Sequence, residues 1–421
     1  MEERDHGALG VPAGAALYLG SLIGPGVLLV PALALEVAGP ASVPGWAALL
    51  VLSAPLAATF AALGVRMPVA GGVSAYVRAG FGEPAAAVTG GWFLTAVLLG
   101  APAVSVIGGY YVADLTGSGH GVAAAAGLAM FAAVLAANAL GLRLSSRFQL
   151  LLAGLLTLVI AVAVAVALPA HAGDNWTPFA PHGWWAVGTA ANVLVWLFVG
   201  WEAVAQLAGD FRDPPRQLPR AMAVAFGAVT VLYVGLAVAT VGVSSGGSRV
   251  PLADLIAVGF DGGGRTVTAV LAVALTMGTM NVYVGGTAKL AASLSESGAL
   301  PGWLAGDAHR SIPRRPLLAV AVLATPVLVA LAAGGGSADV LVRATSACFI
   351  AVYVAATASA VRILDGRARA SAVAAFLLVC VLAVFSGWYA TVPAASAVAF
   401  LGVRAWLRAR GAGVPVRDSV V

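Results

Sequence analysis

Charge is what this 421-residue chain has least of: Asp, Glu, Lys and Arg together make up 9% of it, against about 25% in soluble domains. So few ionisable side chains cannot cover a water-facing globule of this length. Cysteine is scarcer still. Cys348 and Cys380 both sit inside apolar stretches; two alone build no metal motif, and as buried thiols they say nothing about redox compartment. The five histidines, His6, His120, His171, His182 and His309, fall in loops or at the ends of apolar runs. None has the His-x-x-Glu-His type of spacing that intramembrane metal chemistry would need. A basic leader with a small-residue cleavage site is also missing from the opening MEERDHGALG, so the first apolar run is expected to be a retained span.

What the chain does have is apolar surface. Hydrophobic residues make up 61% of it, with 52 glycines and 22 prolines, and the mean hydropathy is +0.98. Disordered chains have the opposite composition, and glycine and proline are tolerated in membrane helices. The expected fold class is an all-α polytopic membrane protein. A bilayer core of about 30 Å takes about 20 helical residues per crossing. Runs of that kind lie near residues 11–37, 43–65, 85–115, 119–141, 148–169, 186–209, 219–243, 266–290, 316–333, 338–362, 370–387 and 389–407. These twelve leave no room for an extramembrane domain.

An even number of spans puts both termini on one side. All but three of the 22 basic residues then fall on that side, the exceptions being Arg249, Arg265 and Arg343. The positive-inside rule makes that side the cytoplasm. The net charge of +5 therefore reads as membrane topology, with no nucleic-acid partner implied.

Span one carries Gly20-Ser21-Leu22-Ile23-Gly24-Pro25-Gly26 at mid-membrane depth. Pro25 removes a helical donor and the glycines permit non-helical backbone. Two readings stand: a proline kink, or a true break. A true break survives in hydrocarbon only beside protein or a polar cavity. Span six carries Gly200 at its centre and Glu202 two residues later. A carboxylate there costs about 2.5–3.5 kcal/mol on insertion scales; it either braces loose backbone structurally or carries a proton.

Spans one and six each open a five-helix set, 1–5 and 6–10, the second starting from the opposite face. Interrupted helices at matching positions of two inverted halves point to a secondary-transporter site at the midplane. The organisation expected is a cytoplasmic N-terminus over 1–10, a first repeat over 11–169, an inverted second repeat over 186–362, two further helices over 370–407 and a cytoplasmic tail over 408–421. Free N–H groups at the first break suit a carboxylate. Free carbonyls around Phe198, Val199 and Gly200 suit an ammonium, and an α-amino acid carries both.

The first-helix motif, running on through Val27 to Pro31, resembles that of the amino acid–polyamine–organocation superfamily of permeases. The same is true of the loop Pro68-Val69-Ala70-Gly71-Gly72-Val73-Ser74-Ala75-Tyr76 with Gly80-Phe81-Gly82, and of Phe198-Val199-Gly200-Trp201-Glu202 followed by Gly209 to Ala221. Within the superfamily the chain is most similar to bacterial L-methionine/branched-chain amino-acid exporters, on Phe198 to Ala203, Ala70 to Val73 and Asn281-Val282-Tyr283. The resemblance implies a five-plus-five inverted repeat of the leucine-transporter type with two C-terminal helices, and efflux of hydrophobic amino acids by proton antiport. Leu28 departs from the aromatic that many permeases carry there as a gate. The lysine that some proton-coupled relatives use in span five is also missing from 148–169.

The candidate substrate site comprises Ser21, Ile23, Gly24, Pro25, Gly26, Ala101, Trp196, Phe198, Val199, Gly200, Trp201, Met277 and Asn281, with Glu202 as the proton-coupling candidate. No Arg or Lys sits at mid-depth near it, so a neutral, apolar amino acid is the expected ligand. No metal and no organic cofactor are expected, and the coupling ion is H+. Thr276 and Thr279 leave a sodium-coupled permease open, and an uptake carrier or an exchanger of the same fold also stands. A channel is the rival from another class. The protein is expected in a bacterial plasma membrane as a monomer or loose homodimer.

Overall fold

The computed structural model describes residues 9–67, 72–142, 146–170, 172–202, 208–243, 246–305, 312–334 and 337–409. Five of the basic residues used in the topology argument, Arg4, Arg143, Arg310, Arg410 and Arg417, lie outside this range. So do His6, His171, His309 and the Pro68–Gly71 part of the loop motif. Among the described residues the fold is helical, with one isolated β-bridge between Leu9 and Phe211. Ten helices among the described residues are long and apolar enough to cross a membrane.

The chain begins with α1 (Val11–Leu22), a 3-10 turn (Pro25–Leu28) and α2 (Val30–Ala38). Span one is therefore two short helices joined by irregular backbone. A sharp turn through Gly39, at φ +61°, leads into α3 (Ser42–Arg66). Next come α4 (Gly72–Phe81), α5 (Glu83–Leu115), α6 (His120–Ala139) and α7 (Ser146–Ala167). The loop after span two thus holds a ten-residue helix, α4, buried on one side through Val73, Tyr76 and Val77.

Span six opens as α8 (Trp185–Leu194) and tightens into a 3-10 turn (Val195–Phe198). The helices that follow are α9 (Pro214–Val243), α10 (Pro251–Glu296), α11 (Arg314–Ala332), α12 (Ala338–Ile363), α13 (Gly366–Val384) and α14 (Thr391–Ala409). The helix α10 runs unbroken for 46 residues from Pro251, and the span expected near 266–290 is its later part, within Gly262–Glu296.

In lipid, helices associate by close packing rather than by hydrophobic burial, and small residues set the distance. Where α5 crosses α6, a methyl group at Gly109 would lie 2.1 Å from the Ala123 carbonyl oxygen, and one at Gly127 would lie 3.1 Å from that of Ser105. These backbones touch. The largest buried side chains, Tyr18, Trp46, Tyr76, Tyr111, Trp201 and Tyr233, belong instead to the elements around the two interrupted helices.

The two ends of the bundle differ in charge. At one end Arg66 closes α3, Arg216 and Arg220 open α9, Arg362 closes α12 on the Gly80 carbonyl at 2.8 Å, and Arg367 and Arg369 open α13. At the other end Arg265 is neutralised by Asp114 at 2.9 Å and Asp254 at 2.7 Å, Arg343 by Asp339 at 2.8 Å, and Arg249 lies over the Tyr110 ring. The basic residues that break the charge bias are thus mostly paired with acids.

Candidate functional site

The α1 helix stops at Leu22 because the next residues cannot continue it. Ile23 turns extended while its N–H still bonds the Leu19 carbonyl at 2.8 Å. Gly24 is extended at φ −123°, ψ −173°, and Pro25 starts the 3-10 turn. The N–H groups of Gly24 and Gly26 bond to nothing among the described residues. A methyl group at Gly24 would meet no atom within 4 Å, whereas one at Gly26 would lie 3.0 Å from Leu197 and 3.4 Å from Trp196. Gly24 faces open space; Gly26 is pressed against the second break.

That second break follows Phe198. Val199 is extended and Gly200 takes φ +139°, a region that side chains avoid. A Cβ there would also lie 2.6 Å from the Ser21 carbonyl oxygen, so glycine is required twice over. The Ser21 hydroxyl lies 2.8 Å from the Tyr18 carbonyl and 3.2 Å from that of Gly200, and it shares one proton between them. The two breaks are therefore in direct contact. Trp196 spans the gap to the rest of the bundle. Its ring lies over Gly26 at one edge and 3.7 Å from a Cβ placed at Gly100 of α5 at the other, beside Thr345 of α12.

Three tyrosines brace the irregular backbone. Tyr111 of α5 donates to the Leu28 carbonyl at 2.8 Å. Tyr233 of α9 lies 3.0 Å from the carbonyls of both Leu22 and Leu197, one from each break, while its ring packs edge-on against Trp46 and Phe198. Tyr353 of α12 donates to Glu202 Oε2 at 2.8 Å, and the same oxygen accepts the Gly200 N–H at 3.1 Å. Glu202 itself is buried.

Of the residues expected from sequence, Ser21, Ile23, Gly24, Pro25 and Gly26 are thus brought against Trp196, Phe198, Val199, Gly200, Trp201 and Glu202. Ala101 is buried in α5 next to Gly100, and Met277 is half-buried on α10. Asn281 falls elsewhere: its amide lies 3.5 Å from the Leu142 carbonyl, beyond the end of α6. Thr276 packs against Gly108 of α5. The Gly200 carbonyl, expected to be free, is taken by Ser21. Among the described residues, no other element bonds the carbonyls of Phe198 and Val199. The sequence reading missed Tyr111, Tyr233, Tyr353 and Thr345.

Unpaired donors on one interrupted helix, carbonyls on another in contact with it, and a buried carboxylate beside the second break are the arrangement expected of a secondary carrier. The comparisons agree with that class. A family profile described as amino acid permease matches residues 9–403. The chain is 32% identical over 392 residues to the amino acid permease YecA of Bacillus subtilis (92% of each chain). It is 31% identical over 390 residues to the L-methionine/branched-chain amino acid exporter YjeH of Escherichia coli (90% of this chain, 92% of that one). A solved manganese transporter of Eremococcus coleocola shares the fold at TM-score 0.54 and 14% identity, over 94% of this chain and 93% of that one. The chain belongs to the amino acid permease family of the amino acid–polyamine–organocation superfamily, and it is a multi-pass membrane protein of amino-acid transport.

Proposed function

We propose that this permease exports neutral, hydrophobic amino acids of the methionine, leucine, isoleucine and valine class, by alternating access and in exchange for protons. The observation that carries the reading is the pairing of the unbonded N–H groups of Gly24 and Gly26 with open space at Gly24, in a site whose one ionisable partner is Glu202. A substrate carboxylate suits those donors, and the carbonyls of Phe198 and Val199 suit its ammonium. The lining offers no fixed cation or second acid for a charged side chain, which would be left buried without a partner. The name of the Escherichia coli relative supports the substrate class and the direction.

In this reading twelve spans cross a bacterial plasma membrane, with the five-plus-five inverted repeat over 11–169 and 186–362. The basic end of the bundle and both termini face the cytoplasm, and the carrier works as a monomer or loose homodimer. Glu202 carries the coupled proton. Counterflow of labelled methionine, leucine, arginine and glutamate in proteoliposomes, with and without an imposed pH gradient, tests substrate and coupling together. Uptake of arginine or glutamate matching that of leucine overturns the substrate class. Indifference to the gradient overturns the coupling.

A further inference from the structure

A cavity of about 640 Å3 lies at the basic end of the bundle, where the end of α3, the start of α9 and the α12–α13 junction meet. Ala58, Ala62, Met222 and Leu364 give it apolar walls, and two charged residues of opposite sign, Arg66 and Asp365, also line it. Those two do not pair. Among the described residues neither the Arg66 guanidinium nor the Asp365 carboxylate makes an ion pair or a hydrogen bond, with each other or with any other group. A cation and an anion therefore share one pocket, held apart by more than ion-pair distance, above a surface of methyl groups.

This pattern specifies a ligand that carries both charges on one headgroup and an alkyl chain behind them. We propose that the cavity holds one aminophospholipid of the adjoining leaflet, its phosphate on Arg66, its primary ammonium on Asp365 and an acyl chain along α3. Guanidinium matches phosphate oxygens in two-point geometry. A primary ammonium has three N–H donors for a carboxylate. A phosphoglycerol headgroup lacks the ammonium, so it offers Asp365 only neutral hydroxyl donors and keeps an uncompensated negative charge beside it. A choline headgroup has the charge but no N–H to donate. The basic rim of Arg216, Arg220, Arg367 and Arg369 sets the cavity at headgroup level, where cationic side chains meet lipid phosphates. The proposal rests on the membrane placement alone and holds whatever the carrier transports.

The test is native mass spectrometry of the full-length protein in detergent, offered phosphatidylethanolamine, phosphatidylglycerol and phosphatidylcholine with identical acyl chains. One phosphatidylethanolamine should be retained in preference to the other two, and excess leucine should not displace it. Arg66→Gln and Asp365→Asn should each lower its retention about tenfold, as expected for one charge-assisted contact. Arg367→Gln, a charge at the same end but outside the cavity, should leave it unchanged. Ala62→Phe keeps both charges and fills the space, so it should abolish retention even if a charge variant fails to fold; a thermal melt checks folding in each case. Equal retention of the choline or glycerol lipid overturns the assignment. So does undiminished retention in folded Arg66→Gln and Asp365→Asn, or displacement by leucine.

Discussion

The Tyr353 hydroxyl and the Gly200 N–H converge on one oxygen of Glu202, at 2.8 and 3.1 Å. The carboxylate thereby links α12 to the glycine at the second break. Both contacts need only an acceptor, and glutamine offers one. Glu202→Gln should therefore fold and still exchange substrate for substrate across proteoliposomes. Net transport driven by a pH gradient should fall sharply, and the pH dependence of substrate binding should flatten. A variant that accumulates leucine against a gradient as well as the parent would assign Glu202 a bracing role only.

Gly24 and Gly200 should respond differently to one added methyl group. At Gly24 the backbone is extended and the space is open, so Gly24→Ala should melt at or slightly above the parent temperature. Its methyl enters the volume assigned to substrate, and affinity should drop. At Gly200 the positive φ and the Ser21 carbonyl forbid a Cβ. Gly200→Ala should cost about 1–3 kcal/mol from the backbone alone, and more from the overlap. Thermal melts with equilibrium binding of labelled leucine separate the two cases; normal affinity in Gly24→Ala would move the carboxylate site elsewhere.

Tyr233→Phe keeps the ring against Trp46 and Phe198 but removes the hydroxyl that serves Leu22 and Leu197. The single proton that those two buried carbonyls share is then lost, at about 1–3 kcal/mol. The melting temperature should fall, and the KM for substrate should rise more than Vmax changes, because the breaks lose their common reference point. An unchanged KM would mean that Ser21 alone aligns them.

Selectivity should follow charge rather than size. Methionine, leucine, isoleucine and valine should compete with one another for binding, while arginine, lysine, glutamate and aspartate should not compete at comparable concentrations. Saturable binding of any charged member with similar affinity contradicts the neutral site.

Both interruptions were legible in the sequence because Gly20 to Gly26 and Gly200 are residues a straight span has no use for. Their partners were not. Tyr111, Tyr233 and Tyr353 stand in spans that are apolar on every side, where periodicity gives no hint of which face turns inward. The same blindness put Asn281 in the site when its amide faces Leu142. The small helix α4 was hidden because ten residues of mixed polarity are too few to register as a span.

The β-bridge between Leu9 and Phe211 joins the lead-in to α1 to the segment beyond the second break, through Leu9 N–H on the Asp210 carbonyl at 3.0 Å and Arg212 N–H on that of Leu9 at 3.3 Å. Gly14 lets the Phe211 ring rest on α1 just above it. The lead-in to α1 and the segment carrying Phe211 are thus yoked like the arms of a pair of tongs, and a pull on one is delivered to the other.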